Sequence, residues 1–106
     1  MERIAFTYRF RPGKKEEYLQ AHAELWPSQH DALERSGVRR MVVFVRGEHL
    51  FLYADVENRE EFIRISQADP DYQSWGVYMA TMLEQPFDED EPGIFAELEE
   101  VWDWTP

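Results

Sequence analysis

Val38-Arg-Arg-Met-Val-Val-Phe-Val-Arg46 is followed by Gly47-Glu48 and then by Leu50-Phe-Leu-Tyr-Ala-Asp-Val-Glu57. Two runs rich in β-branched and aromatic residues, separated by a short turn containing glycine, predict an antiparallel hairpin. Upstream of it, Lys14 to about Ser36 follows helical spacing, with Tyr18, Leu19, His22, Leu25, Trp26, Gln29 and Leu33 near one side. Pro27 interrupts that helix, because its ring nitrogen cannot donate and its ring disfavours helical geometry at Trp26. A kink or short break is expected there, with the second piece ending at Gly37. Further upstream, Ile4, Phe6, Tyr8 and Phe10 alternate with Ala5, Thr7 and Arg9. That period of two is a first strand, which Pro12-Gly13 ends.

Downstream of the hairpin, Asn58 with Glu61 three residues later forms a capping-box pattern, and Phe62 and Ile65 supply the apolar face of the helix it opens. Asp69-Pro70 starts a second helical piece, with proline in the first turn where a missing donor costs nothing. Its stripe of Trp75, Tyr78, Met79, Met82 and Leu83 extends the expected helix to about Glu84. Pro86 to Pro92 reads as an acidic loop, and Phe95 to Trp104 as a last strand with Leu98, Trp102 and Trp104 at even spacing. The order β-α-β-β-α-β is the split βαβ, or ferredoxin-like, pattern of the α+β class. It predicts a single domain over residues 1–106, with an antiparallel four-stranded sheet and helices on one face. The other face would carry Phe, Tyr, Trp and Val, and a face-to-face homodimer would cover it.

Composition narrows the function. A hydrophobic fraction of 43% supports a packed interior. The net charge of −11 argues against nucleic acid, which is bound by neutralising phosphates with Lys and Arg. No apolar run is long enough for a membrane span and no signal peptide is visible, so neither a membrane partner nor export is expected. With no cysteine, disulfides and thiol chemistry are excluded, and the lack of an export signal makes the cytoplasm the expected default compartment. No His/Asp/Glu spacing reads as a strong metal site, no phosphate loop is present, and no cofactor is expected.

The candidate site begins with Tyr18, His22 and Trp26, at successive steps of four. On a helix these stand one above another, so one face carries a phenol, an imidazole and an indole. Aromatic bodies with polar tips line pockets for small polar ligands, whereas a core stripe would be Leu, Ile, Val and Ala. Trp26 serves equally as packing at the kink. Tyr78 and Met79 read as core, and His30 and His49 as exposed.

These residues resemble a known family, the L-rhamnose mutarotases. The resemblance covers nearly the whole chain and rests on Glu17-Tyr18-x-x-x-His22-x-x-x-Trp26-Pro27, Ser36-Gly37, Glu57 with Glu60-Glu61, Trp75-x-x-Tyr78-Met79, and Glu97-Leu98-x-Glu100-Val101. It implies a dimeric α/β barrel of ferredoxin-like protomers that interconverts the α and β anomers of L-rhamnose without a cofactor. It further implies that His22 is the proton donor and that Tyr18 binds the sugar. Two adjacent tryptophans and a tyrosine at the start of the second strand line the family's sugar site. In this chain the first tryptophan is Trp75, the second position is Gly76, and the strand tyrosine is replaced by Met41. These departures leave the proton chemistry in place and leave the sugar open, as rhamnose or a related aldose.

Mutarotation opens and recloses a hemiacetal ring, so the ring oxygen gains a proton while the anomeric hydroxyl loses one. Histidine is the side chain whose ordinary pKa suits both directions near neutral pH. Two other readings share the architecture: a cofactor-free monooxygenase or cyclase of the antibiotic-biosynthesis type, and a non-catalytic binding module. Several hydrogen-bonding groups around His22 would favour the sugar, an all-apolar cavity the aromatic polyketide. A fully bonded, buried His22 with no cavity beside it would favour the module.

Overall fold

The computed structural model describes residues 1–86 and 96–106. Its elements are β1 (Glu2–Phe10), α1 (Lys15–Ala23), α2 (Pro27–Arg35), β2 (Val38–Arg46), β3 (His49–Val56), α3 (Arg59–Ala68), α4 (Pro70–Ala80) and β4 (Leu83–Glu84). The hairpin forms as the sequence dictates. Arg46 pairs with His49, leaving Gly47-Glu48 as a two-residue turn with Gly47 at φ +59°. Glycine at the first central position of such a turn matches the twist of the flanking strands. β1 then pairs antiparallel with β3, and the sheet order is β2-β3-β1-β4. The fold is the expected antiparallel ferredoxin-like sheet of the α+β class.

The break at Pro27 is clean: α1 stops at Ala23, and Trp26, in extended geometry, caps α2 with proline at its first position. Gly37 closes α2 at φ +82°, and its carbonyl accepts from the Glu57 amide at 2.9 Å. A Cβ at that position would stand 3.4 Å from Glu57 Oε2. That contact is an ordinary one, so the turn that sends the chain into β2 is fixed by backbone conformation. Asn58 caps α3 by accepting from the Glu61 amide at 2.9 Å, while the Glu61 side chain turns to Arg64. Only half of the capping box forms. α3 buries Phe62 and Ser66, with Ile63 packed against the same cluster. Asp69 caps α4 through the amides of Asp71 and Tyr72, and Arg35 of α2 grips the same carboxylate.

The last strand differs from the expectation in two ways. The helical stripe ends at Ala80, and Leu83–Glu84, read as helix from the sequence, is β4, pairing with Phe10 and Arg9. The spacing of Met79, Met82 and Leu83 mimics a helix, but Thr81 and Met82 close it with short turns to Tyr78 and Met79. Phe95 to Trp104 does not form a strand within the described residues, beyond a bridge between Glu97 and Phe6. There, Thr7 donates to Ala96 and Leu98 donates to Ala5. A continuous ladder from the Arg9–Glu84 pair would place residue 87 opposite Phe6, so the edge alongside β1 is built from two separate stretches. The acidic stretch from Pro86 to Pro92 lies, after Pro86, outside the described residues, as does Phe95.

The four helices among the described residues cover one face of the sheet. On that face Ile4, Phe6, Ala54, Val56 and Phe62 form one core cluster; Phe10, Tyr18, Ala21, Leu50, Trp75 and Met82 form another. The opposite face presents Val42, Phe44, Phe51 and Tyr53, with Phe44 61% exposed. No helix among the described residues is long and apolar enough to cross a membrane.

Candidate functional site

Between the sheet and the helices α1, α2 and α4 lies a cavity of about 550 Å³, within the range of small-molecule sites. The strands contribute Phe6, Tyr8, Met41, Val43, Leu50 and Leu52, and the helices Tyr18, His22, Gln29, Tyr72, Trp75 and Gly76. Arg11 and Glu84 stand on its wall as well, joined to each other at 3.5 Å.

The fold brings the sequence candidates together. The Tyr18 and His22 rings lie 4.1 Å apart at 33°, as steps of four on α1 require. His22 meets the Trp75 edge at 5.4 Å, and Trp26 packs on Trp75 at 5.1 Å and stacks on Tyr78 at 5.1 Å. Tyr18, His22, Trp75, Met41 and Gly76 all line the cavity. Trp26 does not: it stands behind Trp75 and holds that indole in place. Tyr78, read as core, belongs to this aromatic stack. Gly76 has open space where a Cβ would project, so the side chain missing at this position leaves room at the wall.

The electrostatics follow from burial. His22 Nδ1 lies 2.9 Å from the Tyr18 carbonyl. A carbonyl can only accept, so Nδ1 carries the proton and Nε2 keeps its lone pair. No protein group among the described residues bonds Nε2. Desolvation lowers the His22 pKa below its ordinary value, and the Tyr18 carbonyl only partly opposes this. The ring is therefore neutral at pH 7, a base with its free nitrogen available. The phenols shift the other way. Burial pushes Tyr8 up to about 12, and raises Tyr18 and Tyr72 further, each also feeling Tyr8. All three stay protonated and can donate to a ligand oxygen.

Tyr8, Tyr72 and Gln29 are among the cavity groups that sequence reasoning did not single out, as are Arg11 and Glu84. Tyr8 carried a signal, as the one polar-tipped residue in an otherwise Ile and Phe inward row. The cavity is thus not all-apolar. Outside it, His30, Asp31 and Glu34 gather ligand-type atoms within 4.8 Å on the exposed side of α2. Such solvated clusters are common on protein surfaces, and nothing in the fold encloses this one.

Comparisons with known proteins agree with this arrangement. The sequence profile described as L-rhamnose mutarotase matches residues 3–104. The L-rhamnose mutarotase of Listeria monocytogenes is 35% identical over 85 residues, covering 78% of this chain and 81% of the relative. That of Paraburkholderia xenovorans is 36% identical over 90 residues, covering 83% of each. Among solved structures, the L-rhamnose mutarotase of Formosa agariphila superposes with a TM-score of 0.74 at 24% identity, covering 99% of this chain and all of the other. Tetracenomycin F2 cyclase of Streptomyces glaucescens superposes equally well, with a TM-score of 0.75 at 22% identity over this whole chain and 99% of the other. Both structural likenesses are likenesses of fold, and the sequence match supplies what they do not: this chain belongs to the L-rhamnose mutarotase family.

Proposed function

We propose that this protein is an isomerase, a mutarotase that interconverts the α and β anomers of L-rhamnose or a related aldose by acid–base ring opening. The observation that carries the reading is His22, neutral, anchored through Nδ1 and with Nε2 unbonded beside a cavity whose polar groups include protonated phenols. In this reading Nε2 takes the proton of the anomeric hydroxyl. The electrons of that O–H bond form the carbonyl as the bond from C1 to the ring oxygen breaks. The imidazolium returns the proton to the ring oxygen. Rotation about C1–C2 and reversal of these steps close the ring on the other face. Tyr18 donates a hydrogen bond to a sugar oxygen, and Trp75 offers its surface to the apolar side of the pyranose. Met41 and Gly76 line the same space. The chemistry is proton transfer throughout and calls for no metal or cofactor.

The phenols, Arg11 and Gln29 favour a polyhydroxy substrate over an aromatic polyketide, and the free Nε2 favours catalysis over a binding module. The protein works, in this reading, as a homodimer joined through the Phe44 and Phe51 face, a large apolar surface that a second copy would remove from water. In this reading the enzyme acts in the cytoplasm, as the family resemblance implies.

The test is saturation-transfer NMR of anomeric exchange with rhamnose, fucose, mannose, galactose and glucose, comparing the protein with His22→Ala. Accelerated exchange of one sugar that disappears in the variant is expected. No acceleration of any sugar would overturn the reading.

A further inference from the structure

Gln29 stands in the first turn of α2 and is 2% exposed, yet its Oε1 is buried with no hydrogen-bond partner. It is the only buried side-chain polar atom among the described residues left in that condition. Buried amide oxygens are normally paired, because an unmet one forfeits its hydration for nothing. The residue's own backbone N–H does not serve it, being committed to the Trp26 carbonyl at 3.0 Å. Leu25 and Leu33 bracket it by four residues on either side, and all three line the cavity. A third leucine would complete that wall without an orphaned oxygen.

The packing of α2 on α4 says what Gln29 faces. Trp26 at one end of α2 meets Trp75 and Tyr78; Arg35 at the other end holds Asp69 and Asp71. The two helices are antiparallel, and Gln29 falls between these anchors, across from the part of α4 that gives Tyr72 and Gly76 to the cavity. We infer that Gln29 is a substrate-binding residue: its carboxamide lines the cavity, and a half-turn about the soft terminal torsion brings the orphaned oxygen from its closed position to accept a hydrogen bond from a sugar hydroxyl, so selecting which aldose fits. The inference rests on the sugar-isomerase reading and deepens it. A hydroxyl supplies the donor that the protein lacks. Sites built to pair a substrate hydroxyl discriminate strongly against analogues that lack it.

The test is calorimetric binding of L-rhamnose, L-fucose and the monodeoxy analogues of whichever sugar binds, to the protein and to Gln29→Met, with anomeric exchange followed in parallel. Methionine keeps the length of the side chain and removes the amide. The expected result is a higher Tm for Gln29→Met, since the orphaned oxygen is gone, together with about tenfold weaker binding. One monodeoxy analogue should bind the parent protein about tenfold less well and bind the variant without further loss. Sugar binding and deoxy discrimination identical in protein and variant would overturn the inference. So would a parent protein indifferent to every monodeoxy change, which needs no variant and guards against Gln29→Met failing to fold. Binding without anomeric exchange would sink the mutarotase reading and leave Gln29 to be judged by the binding data; no sugar binding at all would sink both.

Discussion

At His22, one carbonyl leaves Nε2 as the free nitrogen, and a partly dry setting lowers the pKa of the ring. Its folded pKa lies below the ordinary 6.5, mainly because burial disfavours the imidazolium. In the mutarotase reading His22 acts in its neutral form, so kcat/KM should hold its plateau to more acidic pH than a free histidine would allow before falling. A pH–rate profile checks this; an acid limb centred at or above 6.5 would contradict it. Stability follows the same sign. The folded state resists protonation, so stability is intact above the unfolded pKa and declines as pH falls from there through the folded value. His22→Ala should remove that part of the pH dependence in urea titrations. Met41 and Gly76 give a second prediction at this scale. Both line the cavity, and a Cβ at Gly76 meets nothing within 4 Å. Met41→Tyr with Gly76→Trp should raise kcat/KM for L-rhamnose if these two positions have diminished it. A folded double variant with no gain would mean that the cavity serves another aldose. Little of the cavity's polar side was legible in the sequence. His22, Tyr18 and Trp75 announce themselves by spacing and by family likeness. Tyr72 and Gln29 sit among ordinary helix residues, and their places on the cavity wall arise only when α2 and α4 are packed together.

The elements show where local chemistry suffices and where it does not. The hairpin, the break at Pro27, the Gly37 stop and the Asn58 cap are short-range devices, and each was readable because turn and cap geometry demands particular residues. β4 was not readable. Two residues carry no periodicity, and Met79, Met82 and Leu83 satisfy a helical template that the chain abandons after Ala80. The even spacing of Leu98, Trp102 and Trp104 misleads for the opposite reason: all three are exposed, so their pattern records no burial within this chain. α3 provides a test of how local devices reach the site. Its cap, Asn58, holds the helix whose Phe62 meets Tyr72 ring to ring at 6.1 Å and lines the cavity. Asn58→Ala should cost about 1 kcal/mol in urea unfolding, whereas Asn58→Asp, which keeps the acceptor, should cost little. Equal losses in the two variants would show that the side-chain oxygen is not what holds the helix start.

For the whole molecule, the two faces of the sheet are in different states. One is closed by four helices; the other leaves Phe44 61% and Phe51 43% exposed, with Val42 and Tyr53 beside them. Arg40 and Arg46 flank that patch on the same strand face and have no ion-pair partner among the described residues. The C-terminal stretch supplies matching groups. Arg3 holds it through Glu100 and Asp103, and Arg59 through Glu97, while Glu99 has no ion-pair partner and Trp102 and Trp104 are 79% and 68% exposed. A second copy placed face to face would bury the phenylalanines and offer the acidic, tryptophan-bearing stretch to the arginines. Phe44→Glu introduces a charge at the centre of that contact while leaving the helix-facing core untouched. Sedimentation at micromolar concentration should show a dimer for the parent protein and a folded monomer for the variant. Higher salt should weaken the parent dimer if the arginines contribute. A parent protein that sediments as a monomer would refute the face-to-face arrangement. A Phe44→Glu variant that remains dimeric would move the contact to another surface, because a carboxylate buried without a partner between two apolar faces is too costly to survive there.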